Sequence, residues 1–256
     1  MQQPVSAIVR RPDASLSAGE RTFISRVPVR HDLALEQHAA YVAVLRSFGV
    51  EVLELPPLIG KPDSTFVEDN ALILDEVAIL LPMGAEARRS ETSSLRGTLE
   101  TIRPVLSLDQ GAKAEGGDML RVGRRLLVGR STRTNDAAIE QLRALLEPYD
   151  YQVEAVRTRD SLHLKTACTA LPDGSLWLNP AWINEADLSG FAIHQIPATE
   201  PFSACQLTVA KRVLIASEHV QARRDLEALG FDVIPIELSE FSKAEAGPTC
   251  LSLIYH

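Results

Sequence analysis

GDMLRVGRRLLVGRSTRTNDAAIEQLRALLEPYDYQVEAVR, residues 117–157, holds a complete structural phrase. Apolar and polar residues alternate on either side of Gly123-Arg124, the pattern of two strands joined by a tight turn. Asn135 then stands where a helix cap belongs, and Ile139, Leu142, Leu145 and Leu146 fall on one face of the helix that follows. YQVEAVR ends the phrase as a third strand, apolar at Val153 and Val156. The pattern is strand, strand, helix, strand.

Read outward from this stretch, the phrase recurs. Before it, DNALILDEVAILLP gives a hairpin, SETSSLRGTLETIR a helix expected to be capped near Ser90, and VLSLD a strand. After it, HLKTACTALPDGSLWLN turns at Pro172-Asp173-Gly174, a strong hairpin signal, with a short helix around NEADLSGF and the strand AIHQIP. ACQLTVAKRVLIAS, EHVQARRDLEALG and FDVIPIEL form the fourth copy, its helix closed by a glycine. The fifth is split between the ends of the chain: CLSLIYH supplies one strand, and VSAIVRR, LALEQHAAYVAVLRSFG and VEVLELPP supply the rest. The copies open near Asp69, Asp118, His163, Cys205 and Cys250, spaced roughly 40 to 50 residues apart, as in a radial or solenoidal array. Pairing the first strand of the chain with the last removes two exposed edges. The expected fold is therefore α/β: a five-bladed α/β propeller of pseudo-symmetric ββαβ repeats in a single domain, residues 1–256. An open α/β sheet is the plainer alternative.

Composition narrows the function. The 256 residues are 45% hydrophobic and 23% charged, as in ordinary globular proteins, and the net charge of -8 disfavours a nucleic-acid partner while suiting a cationic small ligand. No stretch approaches the ~20 apolar residues of a membrane span, and MQQPVSAIVRRPDASLSAGE lacks the layout of a secretory signal. Three cysteines without CxxC spacing fit neither a disulfide scaffold nor a zinc site, so a cytoplasmic location is expected. Nucleotide-binding glycine motifs and HExxH are absent from the sequence.

The openings of the repeats carry the residues able to do chemistry. Cys250, in GPTCLSL, stands at a strand entry after a Gly-Pro loop; position alone leaves it as either a nucleophile or a small core residue. His163, in SLHLKT, shares that placement and is either a proton carrier or a structural histidine. Glu115 and Asp118 flank two glycines in AEGGDML, where a ligand can approach the backbone, although Gly-Gly-Asp is also ordinary turn chemistry. Asp63, Glu68 and Asp69 put three carboxylates around Phe66-Val67, and a loop exposed to water has little need of that apolar pair. Arg88 and Arg133 are read at matching positions just after the hairpins of the first two repeats and, related by the pseudo-symmetry, could clamp a carboxylate, or lie on the surface near helix starts.

Together PDSTFVEDN, PMGAEARRSE, EGGDML, GRSTRTN, LHLKT and GPTCLSL, in that order and at these spacings, resemble the dimethylarginine dimethylaminohydrolases of the guanidine-modifying pentein superfamily. The likeness runs from the first strand to the last residues, and that family's fold is a five-bladed α/β propeller. The resemblance implies Cys250 as nucleophile, His163 as general acid and base, and Glu115 as the carboxylate that orients it. It implies Asp63 and Asp69 as guanidinium-binding acids, Glu68 as a neighbouring binding position, and Arg88 and Arg133 as the grip on the substrate α-carboxylate. Ala244 matches a position whose backbone lines the pocket, and Arg21 lies in the stretch matching the lid, residues 15–28.

The implied chemistry is coherent. A bound guanidinium is electrophilic at carbon and favours the attacking thiolate of Cys250. His163 protonates the departing amine, leaves a covalent thiouronium, and then activates water. Nω-Methylated arginine would give citrulline and (di)methylamine, with no metal or organic cofactor. The expected partner is a small cationic amino acid, with no nucleic acid and no membrane, and the protein a monomer or homodimer. Arginine itself, as in arginine deiminases, or another N-substituted arginine is the alternative substrate; agmatine would leave Arg88 and Arg133 without a carboxylate. An alternative of another class is a non-catalytic pentein binding module. The chain departs from the family pattern in the lid segment ASLSAGERTFISRVP, at Asn70, and at Cys205, where relatives often carry asparagine.

Overall fold

The structure, a computed structural model, describes residues 5–256; the first four residues of the opening stretch lie outside the described residues. The chain forms two compact units: one runs through Val67 and resumes at Cys205, and the other spans Glu68–Ala204. Each is built from three-stranded sheets of one design, an antiparallel pair followed by a parallel third strand.

The Glu68–Ala204 unit holds three such sheets. In the first, β3 (Ala71–Ile73) pairs antiparallel with β4 (Ala78–Leu80), and β5 (Val105–Ser107) joins β4 in parallel. In the second, β6 (Met119–Val122), β7 (Arg125–Arg130) and β8 (Gln152–Arg157) repeat the order. In the third it is β9 (Cys168–Ala170), β10 (Leu176–Leu178) and β11 (Ile193–Gln195). A helical crossover joins the second strand to the third because a parallel pair cannot be linked by a tight turn. The cleanest is α3 (Asp136–Leu146), whose expected cap holds: the Asn135 side chain accepts the Ala138 N–H at 3.0 Å. Ala138, Ile139, Leu142 and Leu146 are buried against Leu126, Val128 and Val153.

Two crossovers differ from expectation. The stretch read as one helix capped near Ser90 is a 3-10 turn, Thr92–Leu95, followed by the five-residue α2 (Arg96–Glu100), neither with a side-chain cap. Gly97, the second residue of α2, and the Ser and Thr residues before it favour short turns over a continuous helix. Around NEADLSGF there is only the 3-10 turn Glu185–Asp187, held by Asn184.

In the other unit β12 (Leu207–Val209), β13 (Arg212–Ala216) and β14 (Val233–Ile236) form one sheet, with α5 (Val220–Ala228) as its crossover. The other sheet has the order β15-β1-β2. Here β1 (Ser6–Arg10) pairs antiparallel with β15 (Ser252–Tyr255), and β2 (Glu51–Leu55) lies parallel to β1 beyond α1 (His31–Ser47). The repeat split across the chain ends is thus real, with Ile8 opposite Leu253. One core packs Ala7, Val9, Tyr41, Leu45, Leu214 and Phe241, the last on the short α6 (Ser239–Ser242). Among the described residues no helix is long and apolar enough to cross a membrane.

Candidate active site

Four of the five sheets are entered through a single helical turn, and the chemistry-bearing residues sit on or beside those turns. The turn Val67–Asn70 precedes β3 and carries Glu68 and Asp69. Glu115 starts the turn Gly116–Asp118 that leads into β6. His163 starts α4 (Leu164–Ala167), which leads into β9. Cys250 lies in the turn Pro248–Leu251 that leads into β15. A one-turn helix just before a strand lets a side chain leave the strand's in-and-out alternation, so a polar group can stand at the sheet end instead of in the core.

Within the Glu68–Ala204 unit these turns bring six of the expected residues together. The His163 Nε2 and Glu115 Oε2 atoms are 2.8 Å apart, and His163 Nδ1 is 3.9 Å from Asp69 Oδ1. All three residues are buried. Burial pulls the imidazole toward neutrality, but the charge of Asp69, the hydrogen bond that His163 donates to Glu115 and the charge of Asp118 together raise His163 from 6.5 to about 9. For both Asp69 and Glu115, burial opposes the charge, yet His163 and Arg88 hold each carboxyl below its ordinary value. Gly117 makes this approach possible: a Cβ there would meet His163 Nδ1 at 2.5 Å and Asp69 Oδ1 at 2.9 Å, while its N–H donates to Asp69 Oδ1 at 3.0 Å.

The cations beside this cluster, Arg88, Lys165 and Arg133, lie against carboxylates. Arg88 donates from Nη1 to Asp69 Oδ2 at 2.6 Å and from Nε and Nη2 to Glu91 Oε2, each at 3.1 Å. Lys165 Nζ meets Glu68 Oε1 at 2.6 Å, and Arg133 Nη1 lies 3.7 Å from Glu115 Oε1. Arg88 follows β4 by eight residues and Arg133 follows β7 by three (88 − 80 and 133 − 130), so the two are not placed symmetrically. Donor atoms of Asp69, Glu115 and His163 lie within 4.8 Å of one another. A divalent cation there would compete with the His163–Glu115 hydrogen bond and with the Arg88 contact to Asp69.

The other unit carries Arg21, Asp63, Ala244 and Cys250. Asp63 Oδ2 accepts the Glu20 N–H at 3.0 Å, and its Oδ1 lies 3.7 Å from Arg21 Nη1. The Arg21 guanidinium donates to the carbonyls of Lys243, Leu16 and Glu20, pinning the segment around residues 16–21 beside Ala244. Glu245 accepts the N–H groups of Thr22 and Phe23 at 2.7 and 3.0 Å. Cys250 is partly exposed, and its N–H donates to the Gly247 carbonyl at 3.2 Å. Cys205 is buried against that same turn: a Cβ on Gly247 would lie 2.7 Å from Cys205 Sγ and 2.6 Å from its carbonyl oxygen. Gly247 has φ −125°, open to any residue, so the requirement for glycine is one of space. Cys168 is buried in β9, which pushes its thiol up to about 12 and leaves it unreactive.

Sequence reasoning missed Glu91, Lys165, Thr134 and Glu245 as partners. Lys165 stands inside the HLKT string and Glu91 ends PMGAEARRSE, so a signal existed for those two. Thr134 likewise stands inside GRSTRTN, whereas nothing in the chain marks Glu245.

Five ββαβ sheets with acid, imidazole and thiol on their entry turns define a pentein, the five-bladed α/β propeller class. The family profile described as "N,N dimethylarginine dimethylhydrolase, eukaryotic" matches residues 18–170. The N(G),N(G)-dimethylarginine dimethylaminohydrolase of Streptomyces coelicolor is 37% identical over 249 residues, 96% of this chain and 95% of that one. The Pseudomonas aeruginosa protein of the same name is 34% identical over 222 residues, 86% of this chain and 87% of its own. A solved structure of the Pseudomonas aeruginosa enzyme, a cysteine-to-serine mutant complexed with citrulline, superposes with a TM-score of 0.93 at 32% identity and covers 98% of each chain. The chain belongs to the dimethylarginine dimethylaminohydrolase family.

Proposed function

We propose that the protein is a cysteine-dependent hydrolase of the guanidinium group of a free, Nω-methylated arginine, the whole chain acting as one catalytic domain. Asp69, with Asp63, holds the guanidinium, and Glu68 borders it. Arg88 and Arg133 take the α-carboxylate, Arg88 by the same charge-assisted chemistry that joins it to Asp69 and Glu91. The lid fixed by Arg21, together with the backbone at Ala244, covers the substrate.

The Cys250 thiolate attacks the guanidinium carbon. As the C–N bond to the methylated nitrogen breaks, His163 gives its proton to the departing amine. Water enters, His163 takes its proton, and the C–S bond breaks to release citrulline and regenerate the thiolate. Glu115 keeps the imidazole oriented through both steps.

The observation that carries this reading is the buried Glu115–His163–Asp69 cluster, in which the imidazole rests protonated and therefore ready to act as an acid. The names of the two bacterial relatives and the citrulline bound to the solved one agree with it. Three cysteines that form no disulfide fit a reducing cytoplasm, and the reading requires neither nucleic acid nor membrane, whether the protein is a monomer or a homodimer.

Incubation with asymmetric dimethylarginine, arginine and agmatine, followed by assay of ureido product, tests it. Dimethylarginine is expected to be the best substrate, agmatine to be inert, and Cys250→Ser to lose at least about 10³-fold in kcat. No turnover of any guanidine, or a Cys250→Ser variant as active as the parent, overturns it.

A further inference from the structure

Asp118 opens the second repeat, yet no step of the proposed reaction uses it. It is fully buried, and both of its oxygens are engaged by the protein. Its Oδ1 accepts the N–H of Leu164, the residue next to His163, at 2.9 Å. Its Oδ2 accepts the hydroxyls of Ser131 at 2.6 Å and Thr134 at 2.7 Å. Those hydroxyls are themselves acceptors: Ser131 Oγ takes the N–H groups of Arg133 and Thr134 at 2.9 and 3.2 Å, and Thr134 Oγ1 takes the N–H of Glu115 at 3.2 Å. With backbone donors on their lone pairs, both hydroxyls turn their protons toward Asp118, so the carboxylate meets three donors.

We propose that Asp118 is a positioning residue of the reaction: one buried carboxylate ties together the turn carrying His163, the turn carrying Glu115 and the loop carrying Arg133. The tie through Leu164 ends on the residue after His163, and those through Thr134 and Ser131 end on the backbone N–H groups of Glu115 and Arg133. Relaxing the carboxylate would let three functional groups drift at once, and small misplacements of reacting groups are costly in rate. The inference rests on the proposed function for the meaning of those three groups, while the ties themselves belong to the fold.

Charge adds a second effect. The groups acting on His163 are Asp69 from the turn before β3 and Glu115 and Asp118 from the turn before β6; Arg88 pairs in turn with Asp69, Arg133 lies near Glu115, and Lys165, on the turn that His163 starts, pairs with Glu68. Asp118 is one of three carboxylates that help keep the imidazole protonated. Burial raises its own carboxyl, and the three donors and His163 pull against that rise.

The test is Asp118→Asn, which keeps the shape and removes the charge. The His163 ring is titrated by NMR without substrate, assigned by its loss in His163→Gln. Kinetics with asymmetric dimethylarginine are measured alongside. The His163 midpoint is expected to fall by about one pH unit, and kcat to fall roughly 30-fold with KM changed by less than about threefold. Should Asp118→Asn not fold, Thr134→Val cuts the tie to Glu115 and is expected to lower kcat roughly tenfold. A His163 midpoint and kcat like those of the parent in Asp118→Asn, or an unchanged kcat in Thr134→Val, overturns the assignment, even if thermal stability drops. If the parent turns over no guanidine, the functional reading fails, while the ring titration still decides the contribution of Asp118.

Discussion

Burial by itself would leave His163 neutral, since an imidazolium loses its hydration in the interior. Carboxylates on the turns beside it reverse that outcome and raise it to about 9. The sign of the consequence follows. Because the folded value lies above the ordinary 6.5, the stability this group contributes is fully present below 6.5 and is lost as pH rises through about 9. Asp69 and Glu115 shift the other way, so their contribution is present above their ordinary values of 3.8 and 4.5 and is lost as pH falls through their lowered ones. The network is therefore strongest in mildly acidic solution. Thermal melts of the parent and of His163→Gln at pH 6 and pH 10 check this: the parent is expected to lose several degrees more than the variant between the two. Equal losses would contradict the assigned protonation.

At the scale of elements, the feature that recurs is the one-turn entry to four of the five sheets. Such a turn is too short to be stable alone and is held by what it packs against. The turn before β6 and α4 are held by side-chain oxygens that accept backbone N–H groups, Asp69 taking that of Gly117 and Asp118 that of Leu164. The turn Pro248–Leu251 is held by contact instead, with Gly247 against Cys205 and the Pro248 carbonyl accepting the Tyr41 hydroxyl at 2.9 Å. Longer elements follow ordinary rules. Helix α3 has a cap, an apolar face and a sheet to lie on, so Asn135→Ala is expected to cost about 1 kcal/mol in urea unfolding. That substitution also removes the acceptor of the Lys113 N–H at 3.0 Å, so a loss well below that value would mean the cap is dispensable.

At the scale of the whole molecule, one sheet joins strands from opposite ends of the chain. β1 is its central strand, and Ile8, fully buried, pairs with Leu253 on one side and Leu53 on the other. Ile8→Ala is expected to cost about 2–5 kcal/mol in urea unfolding, as for other large-to-small changes in a core. A cost under about 1 kcal/mol would mean that this sheet is not integral to the fold.

What the sequence determined by itself was what local chemistry controls: alternation that makes hairpins, the Asn135 cap, the α3 face, and the split fifth repeat, forced by two strands left over at the ends. Its strings also carried the residues of the candidate site, because Glu115, His163 and Cys250 stand beside distinctive glycines and strand entries. The tertiary structure decided which charges meet. That Lys165 neutralises Glu68, that Glu91 shares Arg88 with Asp69, and that Asp118 reaches Leu164 across 46 positions depends on how separate turns are packed. Periodicity records which side of an element is buried, whereas the partner a buried charge finds is set by three-dimensional distance, to which spacing along the chain is blind.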